Sequence, residues 1–210
     1  MPLSVKKCKI CRKVGQKMML NERCLSNKCA LQRRKTRPGQ HGQRPHNVSA
    51  YGRRLLEKQK IKFYYLIKEN QLKNYVKKIL KGKDPAPVGL AKILERRLDN
   101  VVWLAGFAPA RTTARQLVSH GHFLVNGRKI NLASYLVNPG DRIELKEKSQ
   151  SSPLFKGLAA KWQKSNQPAW LKIQPNLHQA EVARLAEIEE TQLPFDFKLV
   201  IDFYTRFSRD

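Results

Sequence analysis

Residues 94–130 read LERRLDNVVWLAGFAPARTTARQLVSHGHFLVNGRKI, and the fold turns on this stretch. Leu94, Leu98, Val101, Val102 and Ala105 recur at three and four residues, the period of a half-buried helix. Gly106 ends that helix, as glycine commonly does past a C-terminus. A second helix is expected from about Arg111 to Ser119, burying Ala114, Leu117 and Val118. Gly121 stops it, and His122 to Val125 reads as a short strand. Asn126-Gly127 is a strong two-residue hairpin signal, because both central positions need positive φ. Ile130 lies on the return strand, and after Pro139-Gly140-Asp141 the alternation of Ile143 and Leu145 marks another. The result is a small module of two helices and a hairpin.

On that module Arg111, Arg115 and Ser119 stand four apart and share a helix face, with Thr112 and Gln116 beside them. Arg96, Arg97, Asn126 and Lys129 extend a basic, polar surface. A solvated face would account for scattered lysines. Arginines clustered beside turns favour phosphate recognition, since the guanidinium fork fits phosphate bidentately.

The run Arg-Gln-Leu-Val-Ser-His-Gly-His-Phe-Leu-Val-Asn-Gly at 115–127, followed by Pro-Gly-Asp at 139–141, resembles the RNA-binding module named after small-subunit ribosomal protein four. That module also occurs in RNA enzymes, so alone it implies only binding of structured RNA.

Working outward, charge dominates: 42 Lys and Arg against 16 Asp and Glu give a net +26. Such an excess repels itself in a compact chain and calls for a polyanion, nucleic acid being favoured over an acidic membrane surface. Residues 1–50 carry 13 basic residues against one acid, and residues 151–210 carry eight against seven. The N-terminal half is thus expected to meet most phosphate, and the near-neutral end suits a protein neighbour. No apolar run approaches the ~18 residues of a membrane span. Met-Pro-Leu-Ser-Val-Lys-Lys-Cys lacks the apolar core of a signal peptide, so a soluble intracellular chain is expected.

All four cysteines lie in Cys8-Lys-Ile-Cys11 and Cys24-Leu-Ser-Asn-Lys-Cys29. Two close pairs at this separation match a four-thiolate tetrahedral zinc site. Two disulfides or free thiols are the other readings, disulfides being disfavoured in a reducing compartment. Four thiolates would leave zinc no open position, so its role would be structural. Met18-Met19-Leu20 is the only apolar cluster between the pairs, so zinc would supply much of the folding energy.

From Gln32 to Pro45 the density of Gly, Pro and Arg predicts an extended loop, flexible in water and able to order along phosphates. Residues 49–81 read as helical, broken by Lys81-Gly82-Lys83-Asp84-Pro85, and Pro87 begins the next helix. The aromatics Phe63, Tyr64, Tyr65 and Tyr75 are more readily core than base-stacking platforms. Leu154 to Ala160 is expected to be helical, and Trp170 to Ile173 a strand. Gln179 to Ile188 has a helical period in Val182, Leu185 and Ala186. Lys198 to Arg206 reads as a strand.

Pro38-Gly39-Gln40-His41-Gly42, then Tyr51-Gly52 and Leu56-Glu57-Lys58-Gln59-Lys60, again resemble the ribosomal protein four family, far more specifically than the module does. The resemblance covers essentially 1–206, in the version that keeps its cysteines. It implies an α+β fold: a zinc-bound N-terminal segment and basic loop (1–48), a mostly helical domain (49–95), the inserted module (96–150), and the rest of the helical domain with a small C-terminal antiparallel sheet (151–210). It implies a strand near Glu181–Leu185 pairing back on Trp170–Ile173, which we adopt over the helical period. It implies Zn2+ on Cys8, Cys11, Cys24 and Cys29. It further implies a cytoplasmic, non-enzymatic component of the small (30S) subunit, a primary binder of the 16S rRNA 5′ domain that nucleates assembly of the subunit body. Contact with ribosomal protein five, interplay with protein twelve in accuracy, and mRNA near its entry site belong to the same expectation; no small-molecule substrate does. The residues expected to meet RNA are Arg37, His41, Arg44, Arg53, Arg54, Lys58, Arg96, Arg97, Arg111, Thr112, Arg115, Gln116, Ser119, His120, Asn126 and Lys129. Two rivals stand beside this reading. An RNA-modifying enzyme would need a catalytic domain, and no histidine sits in an acid–base arrangement. A zinc-dependent DNA-binding regulator would need a recognition helix after the cysteines, and none follows.

Overall fold

The computed structural model describes residues 7–24, 26–44, 47–155, 168–174, 177–187 and 193–207. Packing divides the chain into two compact units, Met1–Ala91 with Pro194–Asp210, and Lys92–Leu193.

The first unit is helical. Helix α1 (Lys7–Val14) buries Ile10, Cys11 and Val14 on one side. With Met18, Leu20 and Cys24 they form a small core, against which Met19, Leu31, Phe63, Tyr64 and Leu66 pack. A short helix α2 (Ala30–Arg33) follows. Helix α3 (Ala50–Tyr64) is capped by Ser49, whose Oγ accepts from the Gly52 N–H at 3.1 Å. Helix α4 (Glu69–Leu80) buries Leu72, Val76 and Ile79, and helix α5 (Ala86–Glu95) comes next.

The closing segment departs from expectation. Residues 198–206, read as a strand, lie within a helix, which we number α9 (Phe197–Phe207). The run Leu199-Val200-Ile201 looks strand-like locally. The residues actually buried are Phe197, Val200, Ile201, Phe203 and Tyr204, and four of these follow the i, i+3, i+4, i+7 rule of a helix packed on one side. Asp196 caps it, its Oδ1 accepting from the Leu199 N–H at 3.2 Å. Helix α9 packs on α3, with the Tyr51 and Phe203 ring centroids 5.8 Å apart. Asp196→Ala is expected to cost about 1 kcal/mol, read as a lowered urea midpoint at unchanged slope.

The second unit follows the expected order at its start. Helices α6 (Leu98–Leu104) and α7 (Arg111–Ser119) pack together. Strands β1 (Phe123–Val125) and β2 (Arg128–Lys129) form the hairpin, joined through Asn126 at φ 50° and Gly127 at φ 76°. Strand β3 (Arg142–Leu145) pairs antiparallel with β1, and a short helix α8 (Glu147–Gln150) follows.

The C-terminal strands do not make a separate sheet. Strands β4 (Leu171–Gln174) and β5 (Gln179–Val182) join one five-stranded antiparallel sheet of order β2-β1-β3-β5-β4. β5 pairs with β3 through Ile143↔Ala180, covering the edge that a bare hairpin would leave open. The contacts therefore group 171–182 with the module, and only 194–210 returns to the helical unit. The strand adopted over the helical period is present, starting two and ending three residues earlier than implied, and pairs Leu171 with Val182. Cross-strand pairing on both sides outweighs a weak local period. Residues 153–155 form a turn of 3₁₀ helix; the rest of the helix expected at 154–160 lies outside the described residues.

The sheet covers α6 and α7 through a core of Leu98, Val101, Val102, Leu117, Val118, Phe123, Val125, Ile143, Leu145 and Trp170. The loop before β3 crosses the start of α6: Leu98 N–H donates to Tyr135 O at 2.8 Å, and Val137 N–H to Arg96 O at 2.9 Å.

Candidate nucleic-acid interface

The arginine-rich face separates into residues spent inside and residues left outside. Arg97 is fully buried, its Nε donating to Asp99 Oδ1 at 3.0 Å and its Nη2 to Asp99 Oδ2 at 2.7 Å. Arg115 adds a third donor to the same carboxylate at 3.3 Å. Arg111 is 4% exposed, donates from Nη1 to Asn100 Oδ1, and lies 3.9 Å over the Trp103 ring. Asn100 in turn donates to Glu95 O and Oε2. The expected face of Arg111, Arg115 and Ser119 exists, but it runs from core to solvent: Arg111 buried, Arg115 half-buried, Ser119 exposed. Arg111 thus ties α7 to α6, Arg97 is held at the start of α6, and both guanidiniums are buried.

Lys58 is drawn inward likewise. It is 6% exposed, donates to Glu69 Oε1 at 2.8 Å, and sits 4.1 Å over the Phe203 ring. Glu69 also accepts from Lys62 at 2.6 Å and from the Tyr204 hydroxyl at 2.7 Å. Burial works against its charge, yet the hydrogen bonds from Lys58, Lys62 and Tyr204 hold its carboxyl down at about 2.

Asn126 locks the hairpin, its Nδ2 donating to Asp141 Oδ1 at 2.8 Å and its Oδ1 accepting from the Arg142 N–H at 2.9 Å. Arg96 is half-buried and donates to Val137 O at 2.9 Å. His122 is also drawn inward, with Nδ1 2.9 Å from Ser149 Oγ; burial, then the charges of His120 and Lys146, push it below its ordinary value.

Of the expected residues, Gln116, Ser119, His120, Asn126 and Lys129 stay exposed on this unit, together with Arg128 and Arg142, which were not among them. Their signal was present: Arg128 follows the Asn-Gly turn, and Arg142 alternates with the buried Ile143. Thr112 is half-buried.

On the helical unit His41, Arg44 and Arg53 are exposed, and Arg37 and Arg54 half-buried. The basic loop, expected to be flexible, is tied to α1. Arg12 donates from Nε to Thr36 O at 3.0 Å and from Nη2 to Arg37 O at 3.2 Å. Gly42 closes the loop, where a Cβ would stand 1.9 Å from the Arg37 carbonyl oxygen.

The same α1 places Cys8 and Cys11 one turn apart. Cys11 shares a hydrogen bond with Cys24, which raises Cys11 and lowers Cys24 to about 6. Backbone amides of Asn21 and Leu20 favour the charged form of Cys24, and that of Met18 only partly opposes the rise at Cys11. Cys29 is buried at the start of α2. The donor chemistry suits a thiophilic metal, although among the described residues no group of three or more ligands is set to hold an ion.

Comparison with known proteins accounts for both units. Residues 3–95 match the family described as ribosomal protein S4/S9 N-terminal domain, and residues 96–143 match the S4 domain. Small ribosomal subunit protein uS4 of Thermodesulfovibrio yellowstonii is 44% identical, over 95% of this chain and 96% of the relative. The uS4 proteins of Thermotoga maritima and Acetivibrio thermocellus are 45% and 43% identical, again over 95% of this chain and 96% of each relative. With a helical unit and an inserted hairpin module each matched in order, the chain belongs to the uS4 family of small ribosomal subunit proteins.

Proposed function

We infer that this chain is a non-enzymatic structural component of the small ribosomal subunit, working in the cytoplasm as an RNA-binding protein of translation. The observation that carries this is family membership across nearly the whole chain. The net +26 charge supplies the affinity for a polyanion.

More finely, we propose a primary binder of the 16S rRNA 5′ domain that nucleates the subunit body. Duplex RNA hides its base edges in a deep groove, so such a protein would read the shape of a folded junction and hold it through phosphates. Arg128 and Lys129 on β2 and Arg142 on β3, the strands flanking β1, are exposed, and His41, Arg44 and Arg53 are exposed on the helical unit. Replacing Arg128, Lys129 and Arg142 together by Gln is expected to make the salt dependence shallower by about 2–3 in slope. Titration of a folded transcript at several salt concentrations measures it, and an unchanged slope would count against that face. Ribosomal protein five would meet the near-neutral C-terminal part, with protein twelve coupled in accuracy and mRNA near its entry site.

The whole reading is tested by reconstitution from 16S rRNA and the other small-subunit proteins. Omitting this chain is expected to leave a lighter particle lacking body proteins. A complete particle formed without it would contradict the proposal.

We also propose that Cys8, Cys11, Cys24 and Cys29 hold one structural zinc. The Cys11–Cys24 contact and the amides directed at both sulfurs support it. Bound there, zinc would cross-link α1 to the start of α2, in a segment whose apolar core is small. Native mass spectrometry of the full chain is expected to give one zinc. Chelation should then raise amide exchange over 7–33; metal-free protein with unchanged exchange would overturn it.

A further inference from the structure

Helix α4 and the turn after it carry five lysines in eleven residues: Lys73, Lys77, Lys78, Lys81 and Lys83. The buried side of the helix is Leu72, Val76 and Ile79. Lys73, Lys77 and Lys81 stand four apart, so they line up along an adjoining stripe. Lys77, Lys78, Lys81 and Lys83 are exposed and Lys73 is half-buried. Leu80 lies among them, 49% exposed.

Exposed helices usually relieve such a stripe with acids one turn away. Glu69 stands four residues before Lys73, the favourable order, yet gives its carboxylate to Lys58, Lys62 and Tyr204. Among the described residues none of the five lysines forms an ion pair. The helix dipole rewards cations in the last turn, which accounts for Lys77 and Lys78 but not for Lys73 or Lys83. The stripe therefore repels itself in the free chain and lacks internal compensation.

Its geometry suits a repeating anion better than a single one. Each four-residue step advances about 6 Å along the helix axis, so the three aligned lysines present a row of point charges. Lysine meets phosphate as a flexible point charge without the directional fork of arginine, which fits backbone contact that carries no sequence information. We propose that this face of α4 is an additional RNA-contact surface, gripping the sugar–phosphate backbone of one strand along its length. The proposal rests on the RNA-binding reading above and extends it to residues that reading does not include.

The test uses the full chain and a folded 16S rRNA 5′-domain transcript. Replacing Lys73, Lys77 and Lys81 by Gln keeps good helix formers, so the far-ultraviolet spectrum should not change. The variant is expected to bind about ten- to a hundredfold more weakly at moderate salt, with a salt slope shallower by about 2–3. Arginine at the same three positions should restore both. In the parent protein, these lysines should be protected from amine acetylation when RNA is added. A Gln variant with parental affinity and slope, while the parent binds tightly and steeply, would overturn this proposal and leave the RNA-binding reading standing. Protection that arises only with other small-subunit proteins, and not with RNA, would overturn it in favour of an acidic protein partner. A parent that shows no RNA binding would remove the reading on which it rests.

Discussion

Asp99→Ala should unfold the unit 92–193 in urea concentrations that the parent tolerates, with a loss of about 3–5 kcal/mol. Asp99 is 5% exposed and takes two donors of the fully buried Arg97 as well as one from Arg115. Removing the carboxylate leaves the Arg97 guanidinium charged in the core, since arginine does not give up its proton. The penalty is lost charge compensation in the core rather than the worth of the pair. It follows that replacing both partners, Arg97→Met with Asp99→Leu, should recover much of the stability, because an apolar pair of similar volume costs no desolvation. Urea denaturation of the single and double variants separates these outcomes. A single variant as stable as the parent would mean that Arg97 finds other compensation.

The second large effect is expected at Glu69, where Lys58, Lys62 and the Tyr204 hydroxyl converge. Glu69→Gln keeps the shape but removes the charge that compensates Lys58, which would remain against the Phe203 ring. Charge-assisted hydrogen bonds contribute about 1.5–3 kcal/mol each, and Glu69 is 40% exposed, so solvent screening reduces this to a total of about 2 kcal/mol. The pH dependence has a definite sign. The folded carboxyl titrates near 2 against an ordinary 4.5, so the contribution is fully present above 4.5 and is lost as pH falls toward 2. The parent should therefore lose stability over that interval more steeply than the Gln variant. Parallel denaturation curves at pH 6 and pH 3 measure the difference, and equal losses in both proteins would contradict it.

Both sites show what was legible in the sequence and what was not. The two helices and the Asn126-Gly127 hairpin were readable because their chemistry is local: apolar spacing, glycine stops, and positive φ at the turn. The basic character was readable from composition alone. The allocation of that charge was not. Arg97, Arg111 and Lys58 look like phosphate ligands until tertiary packing brings Asp99, Asn100 and Glu69 against them. Their compensating groups lay two, eleven and eleven residues away in sequence, but pairing depends on which faces are buried together. Helix α9 was misread for a related reason, since Val200 and Ile201 favour strands locally while packing against α3 selects the helical period. The joining of β5 to β3 was likewise a long-range event with no local signal. Arg128 and Arg142, by contrast, were available from strand alternation and were simply outweighed by the helix arginines.

Selective recognition of folded rRNA is the property that most directly defines this protein's role. Affinity for a 16S rRNA 5′-domain transcript should be measured against an unrelated structured RNA of equal length, each across a salt series. Binding to the 5′ domain that is much tighter and persists at high salt is the result expected of a primary rRNA binder. Equal affinities that collapse together as salt rises would reduce the chain to a general polyanion binder and contradict the account.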